Sequence, residues 1–112
     1  MVTLYCFKLD EHTGKLERFE ITNYNKVCLS KYTGRYAFFY KHTLGKQTET
    51  RYEVYECNLD RFINWKVHTF NPDVEHAKRI IWDALLEREN KAQADLDRWQ
   101  DARAEFEIEN ID

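Results

Sequence analysis

Residues Arg79 to Glu107 read RIIWDALLERENKAQADLDRWQDARAEFE, without a single Gly or Pro. This stretch decides the fold, because its apolar residues recur at helical spacing. Val74, Ala77, Ile80, Ile81, Ala84 and Leu85 form one stripe. Glu87 to Lys91 is wholly polar, and Ala92, Leu96, Trp99, Ala102 and Phe106 then renew the stripe in steps of four, three, three and four. The start is marked by Asn71-Pro72-Asp73. Asn71 suits an N-cap, Pro72 suits the first helical position, and Asp73 and Glu75 suit the positive end of the dipole. A continuous helix from Asp73 to Glu107 would span about 50 Å at 1.5 Å per residue, whereas a domain of ~70 residues is only about 25 to 30 Å across. Either the chain bends near Arg88 to Lys91 and doubles back, or Leu96, Trp99 and Phe106 meet another chain. These three residues are therefore the candidate oligomer interface, each worth about 1.5 to 3 kcal/mol on burial.

Ahead of the helix the pattern is that of strands. Val2 to Leu9 is rich in β-branched and aromatic residues, and Leu16 to Thr22 follows after the turn chemistry of Asp10 to Lys15. Further strands are expected at Lys26 to Ser30, Arg35 to Lys41 and Thr50 to Cys57, with turns at Gly34 and Gly45. Asn58 to Arg61 reads as a turn and Phe62 to Phe70 as an extended run. The connections are too short for parallel crossovers, so the expected fold is α+β: an antiparallel meander of five or six strands followed by a long C-terminal helix or two-helix segment. In the single domain 1–112, residues 1–70 form the sheet part, 71–107 the helical part and 108–112 a tail.

The totals exclude several classes. Apolar residues make up 43% of the 112 and charged residues 33%, a globular composition. No apolar run approaches the roughly 20 residues that span a bilayer, and the N-terminus lacks the basic and apolar regions of a signal peptide. Three cysteines, Cys6, Cys28 and Cys57, without Cys-x-x-Cys spacing, read as reduced thiols inside the sheet core of a cytoplasmic protein. His12, His42, His68 and His76 are scattered, so neither a metal site nor a cofactor is expected. No phosphate loop, Gly-x-Ser-x-Gly or His-Glu-x-x-His motif is present, and nothing in the sequence joins a Cys to a His. No enzyme activity is expected.

Charge is unevenly placed. Residues 1–70 carry net +3 and residues 71–112 net −6. In the basic part, Arg35, Lys41, Lys46 and Arg51 interleave with Tyr36 and Tyr40, the side-chain types that grip phosphates and stack bases. These six are the candidate ligand-binding residues. Tyr36 and Tyr40 point away from Arg35 and Lys41, so a ligand using both sets must sit at a strand edge or between subunits.

Two functions fit these features. The first is a non-enzymatic cytoplasmic interaction protein that oligomerises through its C-terminal helix and binds a protein partner. Its charged, motif-free composition matches small accessory proteins of viruses and mobile elements, including inhibitors of host defence, for which the partner is a host protein. The second is a module that sequesters a nucleotide or short nucleic acid on its sheet.

Overall fold

The computed structural model describes residues 2–44 and 48–110. The expected turn at Gly45 and the candidate residue Lys46 lie outside them. Among the described residues seven strands form two antiparallel sheets, followed by one long helix. The α+β class and the antiparallel pairing are as the sequence predicts. The simple meander is not, because the strands divide between two sheets.

The first sheet contains β1 (Leu4–Leu9), β2 (Leu16–Ile21), β6 (Phe62–Ile63) and β7 (Lys66–Thr69), in the order β2-β1-β7-β6. Its first hairpin closes through Asp10, whose carboxylate accepts the backbone N–H of His12 at 2.8 Å and of Thr13 at 3.2 Å. Strand β1 then takes β7, from the far end of the sheet part, on its other side: Cys6 lies opposite His68, and Phe7 opposite Val67. The run expected to be extended from Phe62 to Phe70 is instead a tight hairpin. Ile63 pairs with Lys66, and Asn64 and Trp65 turn between them with φ of 53° and 65°. Two left-handed residues in succession give the turn whose twist matches a hairpin. The sequence hides it because Trp stands where Gly usually does.

The second sheet contains β3 (Tyr24–Ser30), β4 (Arg35–Leu44) and β5 (Thr48–Tyr55), in the order β3-β4-β5. A one-turn 3-10 helix, Glu56–Asn58, replaces the expected end of β5. Leu4, Cys6 and Ile21 from the first sheet pack with Phe38, Tyr40 and Val54 from the second. The core thus lies between two facing sheets, and alternation along each strand selects which side chains enter it.

The opposite face of the first sheet carries Phe7 and Val67, both fully buried, and Thr69, 1% exposed. The helix start is fixed to this face. The Thr69 hydroxyl donates to Asp60 Oδ1 at 2.6 Å, and His76 Nε2 lies 2.9 Å from the same oxygen. Among the described residues of the helix, Ala77 and Ile81 are the buried ones.

Helix α1 spans Val74–Asn110. It begins later than Asn71 implies. Asp73 is the cap, accepting the Glu75 N–H at 3.0 Å, while Asn71 caps the turn before it by accepting the Asp73 N–H at 2.9 Å. Pro72 therefore precedes the helix instead of opening it. No bend occurs at Arg88 to Lys91, and the helix runs through the expected tail to Asn110. A self-closing helical hairpin is thus not formed. The chain divides into two units, residues 1–81 and 82–112. Among the described residues no helix is long and apolar enough to cross a membrane.

Candidate functional site

The sequence-derived ligand residues separate onto two faces of the second sheet. Arg35, Lys41 and Arg51 stand on the outer face, together with Phe39 and Tyr55. The Arg35 guanidinium lies 5.8 Å from the Tyr55 ring centroid, and that of Arg51 5.2 Å from Phe39. Lys41 Nζ is 3.9 Å from Glu49. Tyr36 and Tyr40 point to the inner face. Tyr36 is 38% exposed, with Lys26 Nζ 4.6 Å over its ring. Tyr40 is 5% exposed and stacks on Tyr52 at 5.0 Å between centroids, so a core side chain stands where a base-stacking ring is expected. The outer-face rings that accompany the cations are Tyr55 beside Arg35 and Phe39 beside Arg51, and Phe39 lies on the same strand as Lys41. The signal of Phe39 was in the sequence, since it alternates in step with Arg35 and Lys41.

The structure does bring a cysteine and a histidine together. Cys6 and His68 are cross-strand neighbours, and the Tyr40 hydroxyl lies 2.5 Å from His68 Nε2. Burial, with a smaller contribution from Lys66, pushes His68 down to about 4. The imidazole is therefore neutral at pH 7 and accepts the Tyr40 O–H. Burial raises the Cys6 thiol to about 11, against the smaller opposing influence of its polar neighbours Tyr40, Lys66 and Lys8. Burial and the neighbouring Cys6 raise Tyr40 as well. A nucleophilic cysteine needs a thiolate and an open approach. Cys6 is 3% exposed, and its environment opposes ionisation. The cluster is a satisfied polar patch in the core.

Thr69, Asp60 and His76 hold a hydroxyl, a carboxylate and an imidazole within hydrogen-bond reach, but in an order that does not make a nucleophile. Asp60 sits in the middle, and Thr69 Oγ1 also accepts the Asn71 N–H at 3.0 Å. Burial pushes the Asp60 carboxyl up, and the bonds from Thr69 and His76 outweigh it and hold it below the ordinary value. The geometry is that of a junction between β7 and the helix.

Cys6 is buried as expected, while Cys28 and Cys57 are exposed, contrary to the expected core placement of all three. Cys28 lies on edge strand β3, and Cys57 in the 3-10 turn, where neither side chain is covered. All three are free. Among the described residues no group of three or more His, Cys, Asp and Glu is placed to hold a metal ion.

No family model, curated protein or solved structure matches this chain. Its functional reading therefore rests on its own surfaces.

The most distinctive of these is on the second unit. Trp82 is 70% exposed, Leu96 50%, Trp99 69%, Phe106 61% and Ile108 77%. A heptad register runs through Trp82, Leu85, Glu89, Ala92, Leu96, Trp99, Arg103 and Phe106, in alternating steps of three and four. Trp82 thus joins the residues that the sequence singles out.

Proposed function

We propose that this chain is a non-enzymatic interaction protein that pairs with a second copy through the helix beyond Ile81 and presents its sheets to a protein partner. The observation that carries this reading is the exposed heptad seam. Contiguous exposed apolar surface on a soluble protein marks an interaction site, and a 3.5-residue repeat is the spacing of a helix that meets another helix.

The charge layout favours a second copy in antiparallel orientation. Residues 78–91 carry net +1 and residues 95–109 net −4. Parallel pairing would set the acidic segments side by side. Antiparallel pairing sets each against the less acidic segment of the other copy. Three free cysteines, two of them exposed, support a reducing, cytoplasmic setting.

Light scattering coupled to size exclusion tests the pairing. The expected mass is twice the 13.6 kDa of one chain. The double substitution Trp99→Asp and Phe106→Asp is expected to halve it while the sheet signal in circular dichroism persists. A monomeric wild type across the micromolar range would overturn the proposal.

A further inference from the structure

Lys41 on β4 and Arg51 on β5 are direct cross-strand partners, and both point to the outer face of the second sheet. Like charges directly opposite one another destabilise a ladder. Two acids share this face: Glu49 reaches Lys41 at 3.9 Å, the outer limit of an ion pair, and Glu53, two residues from Arg51 on β5, stands opposite Phe39. The two cations lie in an open recess of about 320 Å³, lined also by Asn23, Asn25 and Phe39. Asn25 stands opposite Phe39 on the far side of the central strand. The recess thus combines two cations, a half-buried aromatic floor and a wall of two amides.

We propose that this recess binds a nucleotide, with its phosphate between Lys41 and Arg51, its base against Phe39 and the base edge at Asn23 and Asn25. A phosphate neutralises the opposed cations. Arg51 has a long, exposed side chain, and turning its guanidinium from the Phe39 ring toward the phosphate uncovers that ring for stacking. Asn amides donate and accept, as the edge of a base requires. The volume is at the lower end of the range of small-ligand sites. Glu49 limits the tolerated negative charge, so the site favours a monophosphate or a phosphodiester over a triphosphate. The same chemistry is offered by a free mononucleotide and by one residue of a single strand. The site is on the first unit and does not depend on helix pairing.

Titration calorimetry of the full chain at low salt tests this, with AMP, UMP, inorganic phosphate and a single strand of about six nucleotides as probes. Binding of a nucleotide or of the strand is expected, with inorganic phosphate weaker. Equal affinity for mononucleotide and strand assigns the site to free nucleotides, and a strand at least tenfold tighter assigns it to single-stranded nucleic acid. Lys41→Gln and Arg51→Gln are each expected to weaken binding about tenfold and to reduce the salt slope by about one. Phe39→Leu is expected to weaken nucleotide binding and leave phosphate binding unchanged. Circular dichroism checks that each variant is folded. No binding of any probe at millimolar concentration, inorganic phosphate binding as tightly as nucleotide, or a loss from Arg35→Gln equal to that from Arg51→Gln would each overturn the proposal.

Discussion

Tyr40 crosses the sandwich to His68, joining the central strand of the second sheet to β7 of the first at 2.5 Å. Among the described residues no buried side-chain nitrogen or oxygen lacks a partner. Tyr40→Phe removes the hydroxyl and leaves His68 Nε2 without one. Stranding such a group costs about 1 to 3 kcal/mol. The urea midpoint at pH 7 is expected to fall accordingly, and Tyr40→Phe combined with His68→Leu is expected to recover part of the loss.

The same histidine makes the fold acid-sensitive. His68 stays neutral in the folded chain down to about pH 4, whereas the unfolded chain takes up that proton near 6.5. Between these values the unfolded state holds more protons, so stability falls as pH drops. The interval corresponds to up to about 3 kcal/mol. Asp60, held below the ordinary carboxylate value, adds stability that is lost at still lower pH. Urea titrations at pH 7 and pH 4.5 are expected to differ for wild type, and the difference should shrink in His68→Gln.

Asp60 supports the helix start through Thr69 and His76, and does so with a φ of 58°. Asp60→Asn keeps an acceptor oxygen and a residue type that tolerates this conformation. Asp60→Ala keeps neither and leaves the Thr69 O–H without its acceptor. The Ala variant is expected to lose about 1 to 3 kcal/mol and the Asn variant less, as read from thermal or urea unfolding.

Trp65 pays for its place in the β6–β7 hairpin with a left-handed backbone, φ 65°, while its ring packs edge-on against Phe62 at 5.7 Å. Trp65→Ala loses the ring and retains the strain. Trp65→Gly loses the ring and relieves it. The Gly variant is expected to be more stable than the Ala variant by about 1 to 2 kcal/mol. Equal melting temperatures would show that the turn relaxes freely.

Thiol chemistry separates the cysteines. In the native protein a maleimide is expected to label Cys28 and Cys57 rapidly and Cys6 only on unfolding, because Cys6 is buried and its thiol is pushed to about 11. Peptide mapping by mass spectrometry identifies the labelled sites.

Local patterns carried most of the architecture. Alternation in Arg35 to Lys41 gave the right faces for Phe38 and Arg35, and the 3.6-residue period gave a helix through Trp99. Long-range pairing was not legible. Nothing in Leu4 to Leu9 says that β1 takes its second neighbour from Lys66 to Thr69, since a strand with two buried faces can accept either edge. Burial was also misjudged where a type implied it: Tyr40 is core and Cys28 is surface, because position in the sandwich overrides residue preference. The helix seam and the outer-face cations, Trp99 and Arg51 among them, are legible in side-chain chemistry and spacing. Asn23 and Asn25 enter the outer recess only through three-dimensional placement.

The β1–β7 ladder also sets an order of events during synthesis. Strand β1 emerges before the rest of its sheet, and can form its hairpin with β2 at once. Its other edge must wait for Thr69, more than fifty residues later. Until then the nascent chain carries an open edge and an incomplete sandwich, and closing that distant contact is the entropically slow step. The residues beyond Ile81 follow the sheet part and need only local contacts to become helical. A chain released before Lys66 would keep Leu4, Cys6 and Phe7 in an open sheet, so the first sheet is completed only at the end of the sheet part's own translation.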